Sequence, residues 1–263
     1  PLLPVKYALH AEPRTMSIQP LLLLGDEAVA RAALDSGISG VYAYPGTPST
    51  EITEYIQQDP DAIARNVHRQ WCANEKTAME EALGMSYAGK RALVCMKHVG
   101  LNVAADPFVN AAITGVGGGL VVAVADDPSM HSSQNEQDSR FYARFASVPL
   151  LEPSTQQEAY DMVRAAFDYS EKIRLPVVVR LVTRLAHSRA DVRISPPRHE
   201  NPLAPASEPS RWVLLPVHAR KNWADLTARW PDITAASQSL PWNQFFPGSD
   251  RRLGIVAAGI AFN

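Results

Sequence analysis

"RALVCMKHVGLNVAADPFVNAAITGVGGGLVVAVAD", residues 91–126, holds two apolar runs on either side of a longer segment with helical texture. "RALVCM" (91–96) and "GLVVAVAD" (119–126) are rich in β-branched residues and show no polar alternation. A strand with one wet face alternates, whereas a strand covered on both faces does not, so these runs predict buried strands of a parallel sheet. Between them, "LNVAADPFVNAAIT" (101–114) predicts a helix kinked or broken at Pro107. "GVGGGL" (115–120) then closes the unit as a tight helix-to-strand turn. It is not a phosphate loop, because a nucleotide-binding glycine loop needs the opposite order, strand then helix.

The same alternation extends outward. "GDEAVARAALDSG" (25–37), "STEITEYIQQ" (49–58) and "TQQEAYDMVRAAFDYSEKI" (155–173) predict helices, the second opening on a capping Ser49. "VYAY" (41–44) and "LPVVVRLV" (175–182) predict strands. Strands separated by helices give an α/β fold, a mostly parallel sheet with helices on both faces, over residues 16–193. Residues 1–15 match no structural pattern and read as a leader or expression remnant, with an organellar presequence as the rival. The proline-rich stretch after residue 193 reads as a linker, and 194–250 as a loosely ordered connector with short helical turns near "HARKNWADLTARW". "RRLGIVAAGIAFN" (251–263) has the form of a first strand of a further domain.

With 46% hydrophobic and 20% charged residues, the 263-residue chain has the composition of an ordinary globular protein. A net charge of −2 gives no footprint for nucleic acid or an anionic membrane surface, and "LLLL" (21–24) is far too short to span a bilayer. The two cysteines, Cys72 and Cys95, stand apart without ligand spacing. They exclude a disulfide scaffold and any cluster held by this chain alone, and read as buried thiols of a reducing cytoplasm.

Several stretches could carry chemistry. Winding residues 75–86 at about 100° per residue puts Ala78, Met79, Ala82 and Ser86 on one small stripe, with Glu75 in its middle. Glu80 and Glu81 fall on the other side. Glu75 is then either a functional carboxylate or a helix-start acid serving the dipole. "YPGTPS" (44–49) ends a strand and starts a helix, so the Thr47 hydroxyl and the helix N-terminus suit an anion, unless this is only a capped turn. Lys97 and His98 stand where a cation could meet a carboxylate or an oxyanion, or be a solvated pair. The polar loop "ADDPSMHSSQNEQDSR" (125–140) is a ligand wall or a lid. Asp126 and Asp127 point to opposite faces as strand neighbours, which disfavours one shared metal ion. Of the seven histidines, His68, His98 and His131 adjoin strands, and the others are placed in the linker or tails. No Gly-Asp-Gly followed by a distant Asn, the usual magnesium–diphosphate pattern of thiamine enzymes, occurs.

"YPGTPSTEI" (44–52), "ANEKTAMEEALGMSYAGKRALVCMKHVGLNVAADP" (73–107), "GLVVAVADDPSMHSSQNEQDSRF" (119–141) and "VPLLEPSTQQEAYDMVRAAF" (148–167) run in register with one family. In these stretches the chain resembles the alpha subunits of the indolepyruvate:ferredoxin oxidoreductases, within the 2-oxoacid:ferredoxin oxidoreductases. The resemblance implies a thiamine diphosphate pyrimidine domain. It implies that Glu75 hydrogen-bonds N1′ of the aminopyrimidine ring and so favours the reactive imino form. It also implies that Lys97, His98 and Asn102 line the thiazolium side. Thr47 would border the substrate carboxylate, and His131, Ser132 and Gln134 the remaining substrate side. One departure matters: relatives acting on pyruvate or oxoglutarate carry an arginine after the third strand, where this chain has Asp126-Asp127. The carboxylate partner would then be Lys97, His131 or a residue of another chain, and an acidic mouth would suit an aryl or branched 2-oxoacid.

The reaction implied is oxidative decarboxylation of an aryl pyruvate such as indolepyruvate, coenzyme A taking the acyl group and ferredoxin the electrons. Mg2+ and the diphosphate would be bound by another domain or subunit, and [4Fe–4S] clusters would lie outside this chain, in a homo-dimer or hetero-oligomer. The rival readings are the half-site of a non-redox thiamine enzyme and a non-catalytic assembly domain of the same fold.

Overall fold

The computed structural model describes residues 20–204, 208–248 and 252–263, so the leader expected at 1–15 lies outside the described residues. In chain order, β1 (Leu21–Leu24) and α1 (Gly25–Asp35) precede β2 (Gly40–Ala43), α2 (Thr50–Gln58), α3 (Pro60–Ala64) and β3 (His68–Trp71). α4 (Glu75–Tyr87) leads to β4 (Ala92–Lys97), and α5 (His98–Val103) with α6 (Ala105–Thr114) leads to β5 (Leu120–Asp126). Next come α7 (Arg140–Ala146), β6 (Leu150–Leu151), α8 (Gln156–Ile173) and β7 (Val177–Val182). α9 (Thr183–Ala186), β8 (Arg189–Val192) and α10 (Pro216–Ser237) complete the order.

The apolar runs that decide the fold form the middle of one six-stranded parallel sheet, ordered β3-β2-β4-β5-β7-β6. Every residue of β4 and β5 is buried. Leu93 and Cys95 pack with α1, α2 and α8 on one face, and Val94 and Met96 pack with α4 and α6 on the other. Helices cover both faces, as the absence of alternation requires. β1 and β8 form a separate antiparallel pair.

The strand order reverses between β2 and β4. In open α/β sheets the crevice outside the carboxyl ends of the strands at such a reversal is where ligands gather. Here the turn after β2 and the start of α5 meet: a Cβ on Gly46 would lie 3.3 Å from the Lys97 Cβ.

Several elements differ from the sequence expectation. The helix expected at 101–114 is two helices, parted at Ala104 rather than Pro107, which sits in the first turn of α6 where its missing N–H costs nothing. Ser49 does not cap α2 through its side chain; its hydroxyl donates to the Gly46 carbonyl at 2.8 Å. The connector contains one 22-residue helix, α10, rather than short turns. It buries Leu226 and Ile233 in the α4/α6 layer and carries Pro231 internally. Residues 252–263 contain no strand and end in a 3-10 turn, Gly259–Phe262. Two free thiols are present, but only Cys95 is buried; Cys72 is partly exposed.

The proline-rich stretch lacks regular structure, yet it is a strap tied to the domain. The Ser195 N–H donates to the Tyr160 hydroxyl at 2.8 Å, and Arg198 pairs with Asp168 at 2.7 Å. Glu200 accepts from Ser39 at 2.8 Å, and Asn201 donates to Glu171 at 2.7 Å.

Candidate functional site

α4 starts at the carboxyl edge of the sheet, just after β3. Asn74 caps it, its side-chain oxygen accepting from the Thr77 N–H at 2.9 Å. Glu75 is therefore not needed as the cap. It is 9% exposed and lies on the packed stripe with Ala78, Met79, Ala82 and Ser86. Among the described residues its carboxylate makes no hydrogen bond and no ion pair. The turn facing it comes from α5: a Cβ on Gly100 would stand 2.5 Å from Glu75 Oε1. Glycine at 100 is what leaves this oxygen room.

Lys97 and His98 follow at the end of β4, and both are buried, 7% and 1% exposed. The Lys97 ammonium donates to the Ser132 carbonyl at 2.8 Å. His98 Nε2–H donates to the Asn135 carbonyl at 3.1 Å, while its buried Nδ1 has no partner. Both side chains thus hold the polar loop 127–139 from beneath. Asp127, 1% exposed, holds the loop's other side. It accepts from the Ser132 N–H at 2.8 Å, the Ser133 hydroxyl at 2.5 Å and the Thr183 hydroxyl at 2.7 Å. Burial pushes this carboxyl upward, but those bonds and one from the His131 N–H outweigh it and hold it well below the usual carboxylate range. On the loop itself His131, Ser132 and Gln134 are exposed, as is Thr47 across the crevice. Asn102 is also exposed and accepts from the Tyr142 hydroxyl at 2.6 Å, joining α5 to α7.

The structure thus brings Lys97 and His98 against one loop, Lys97 bonded to Ser132 and His98 to Asn135, with Gly46 beside Lys97. Glu75 meets α5 through Gly100. The expected acidic mouth is absent, because both aspartates are turned inward. Asp126 accepts from Arg180 Nε at 2.7 Å and from the Ser139 N–H at 3.1 Å. Arg180, which the sequence reading passed over, also pairs with Glu152. It is a buried structural cation on β7, visible in sequence only as one charge inside an apolar run.

A family model described as "Pyruvate flavodoxin/ferredoxin oxidoreductase, thiamine diP-bdg" matches residues 31–235. The chain belongs to this family. It is 43% identical over 250 residues to the indolepyruvate oxidoreductase subunit IorA of Thermococcus kodakarensis, covering 92% of this chain and 38% of that protein. To the subunit of the same name from Archaeoglobus fulgidus it is 43% identical over 249 residues, covering 93% and 40%. The chain spans about two-fifths of the length of these relatives. The 2-oxoglutarate:ferredoxin oxidoreductase from Magnetococcus marinus shares the fold at a TM-score of 0.58 and 21% identity, over 68% of this chain and 32% of that one. The family match runs through α10, so the helix after the strap is part of the family's pattern.

Glu75 fits a thiamine diphosphate pyrimidine ring in one respect: it is a nearly buried carboxylate without a protein donor, lying against Gly100 in the room a Cβ there would take. No described helix is long and apolar enough to cross a membrane.

Proposed function

We propose that this chain supplies the pyrimidine half of a thiamine diphosphate site in a 2-oxoacid:ferredoxin oxidoreductase acting on an aryl pyruvate such as indolepyruvate. The observation that carries this reading is the Glu75 carboxylate, buried on the packed side of α4 without a partner, in a chain of a thiamine diphosphate-binding family. When bound, thiamine diphosphate supplies a carbon nucleophile for the keto carbon of the 2-oxoacid. Glu75 would hold a proton against the ring nitrogen, the role of a positioned proton-transfer group. The 127–139 loop, fixed by Lys97, His98 and Asp127, presents His131, Ser132 and Gln134 to the substrate. Thr47 faces the substrate carboxylate from the β2 side. With the Lys97 ammonium bonded to the loop, His131 or a residue of another chain is the carboxylate's partner. Asn102 steadies α5 against α7 on the thiazolium side. Coenzyme A, ferredoxin, the [4Fe–4S] clusters and the magnesium–diphosphate half-site belong to other domains or subunits of the complete enzyme.

The test is Glu75→Gln in the complete complex. Turnover of indolepyruvate falls by about 10²–10⁴-fold, the range for a positioned proton-transfer group. The complex still assembles. Undiminished turnover in the variant overturns this reading and favours a non-catalytic domain.

A further inference from the structure

On the opposite face of the sheet from α4, three elements converge on a second buried carboxylate. Asp26 is in the first turn of α1 and Glu51 in the first turn of α2, while His187 follows α9. Gly25 makes the approach possible, since a Cβ there would stand 2.3 Å from the Leu185 carbonyl oxygen. The donor atoms of Asp26, Glu51 and His187 lie within 4.8 Å of one another. Asp26 is 0% exposed, and neither of its carboxylate oxygens has a hydrogen-bond donor. Its neighbour in the cluster, Glu51, is another acceptor, with its own Oε2 buried and unpartnered. Two acceptors facing each other need something positive between them, and that is a proton or a cation.

The imidazole decides between them. His187 Nε2 stands 3.4 Å from Glu51 Oε1, long for a charge-assisted hydrogen bond, which closes to about 2.7–2.9 Å. Ligands about 2.0–2.1 Å from a tetrahedral ion stand about 3.4 Å apart. A proton shared by Asp26 and Glu51 uses the two carboxylates alone, whereas a cation engages all three donors. Glu27, the other acid nearby, is already occupied by the Leu24 N–H at 2.8 Å and by Arg189 at 3.5 Å. The Glu51 and His187 side chains are each 34% exposed, which gives an ion an entry path and leaves a fourth position for water.

We propose that Asp26, Glu51 and His187 form a binding site for one divalent transition cation of the Zn2+ class. The two carboxylates and the imidazole give a two-oxygen, one-nitrogen donor set that suits Zn2+ or Mn2+. The ion ties the starts of α1 and α2 to the connection between β7 and β8. It is independent of Glu75, which belongs to the other layer.

The experiment is calorimetric titration of the full chain, stripped with a chelator, with Zn2+ alone, and Mn2+ spectroscopy by electron paramagnetic resonance. Wild type binds one equivalent and its Tm rises. His187→Gln, a change at a part-exposed residue that leaves the core intact, weakens binding by about tenfold or more, at least the penalty of disturbing a ligand's support. Asp26→Asn does the same. No stoichiometric binding by wild type overturns the proposal, as does binding equal in wild type and both variants. A more stable Asp26→Asn with no cation bound by wild type assigns the cluster to a shared proton, and overturns it too.

Discussion

Glu75 and Gly100 act as a pair. The carboxylate lies where a side chain at 100 would begin, and alanine at 100 would press a methyl group within 2.5 Å of Oε1 and 2.8 Å of Cγ. Alanine is the better helix former by about 1 kcal/mol, which offsets part of an overpacking cost of about 1–3 kcal/mol, so Gly100→Ala is expected to leave thermal stability level or slightly lowered. The Glu75 side chain must swing aside, however, and the affinity of the complete complex for thiamine diphosphate is expected to fall by about tenfold or more, as expected when a positioned group is moved by an ångström. Titration with the cofactor beside a melting curve separates the two effects, and a variant that melts normally and binds normally refutes the pairing. Periodicity placed Glu75 on the packed side, because only one acid falls on the small stripe of α4, and its burial bears that placement out. The role proposed for it came from the family resemblance. Periodicity could not find Gly100, since glycine leaves no trace in a hydrophobic pattern. Nor could it find His187, which reads as a tail residue until α9 folds it against α2.

At the scale of elements, the 127–139 loop has almost no regular structure and is held by its buried ends. Asp127 carries most of that load through three hydroxyl and N–H donors at 2.5–2.8 Å. Asp127→Ala is expected to destabilise the fold by about 3 kcal/mol, because buried donors lose an ionised acceptor. Its depressed carboxyl fixes the pH dependence. The contribution is complete above the unfolded value of about 3.9 and is lost only as pH falls through the lower folded value. Urea unfolding of wild type and variant should therefore differ by a constant amount from pH 8 to about 4 and converge below. A difference that already shrinks at pH 6 refutes the assignment. Elements were legible in proportion to their burial. β4, β5 and β7 announce themselves as apolar runs, whereas β3 is "HRQW" at a sheet edge and β6 is two residues long. α10 was hidden by Pro231, whose cost is met by Leu226 and Ile233 packing on α6. The expected strand after 251 has Ile255 at 85% and Val256 at 101% exposure and no neighbour to pair with among the described residues. A strand is a property of a pair, so its sequence alone cannot create one.

Among the described residues the six-stranded parallel sheet is the main body. Its carboxyl edge carries Glu75, the proposed proton-handling acid, and the proposed substrate-facing loop, while the sequence holds no Gly-Asp-Gly followed by a distant Asn for a diphosphate. The strap, locked by Arg198–Asp168 and Glu200–Arg65 pairs, closes the amino edge instead. Arg91 anchors that edge with two 2.8 Å bonds to Glu171. The strap thus leaves the carboxyl edge open, as the proposed second half-site requires. The proposed division into two half-sites gives a sharp expectation for the purified 263-residue chain. It is expected to fold, to melt cooperatively, and to show no decarboxylation of indolepyruvate with thiamine diphosphate and Mg2+ added. Activity should appear only when the rest of the enzyme is supplied, and it should then depend on Glu75. A thiamine-binding assay by calorimetry on the isolated chain should likewise give weak or no binding, since the pyrophosphate supplies much of such a cofactor's affinity through charged contacts. Turnover by this chain alone would mean that the carboxyl edge grips the diphosphate itself, and the division of labour between half-sites would have to be abandoned.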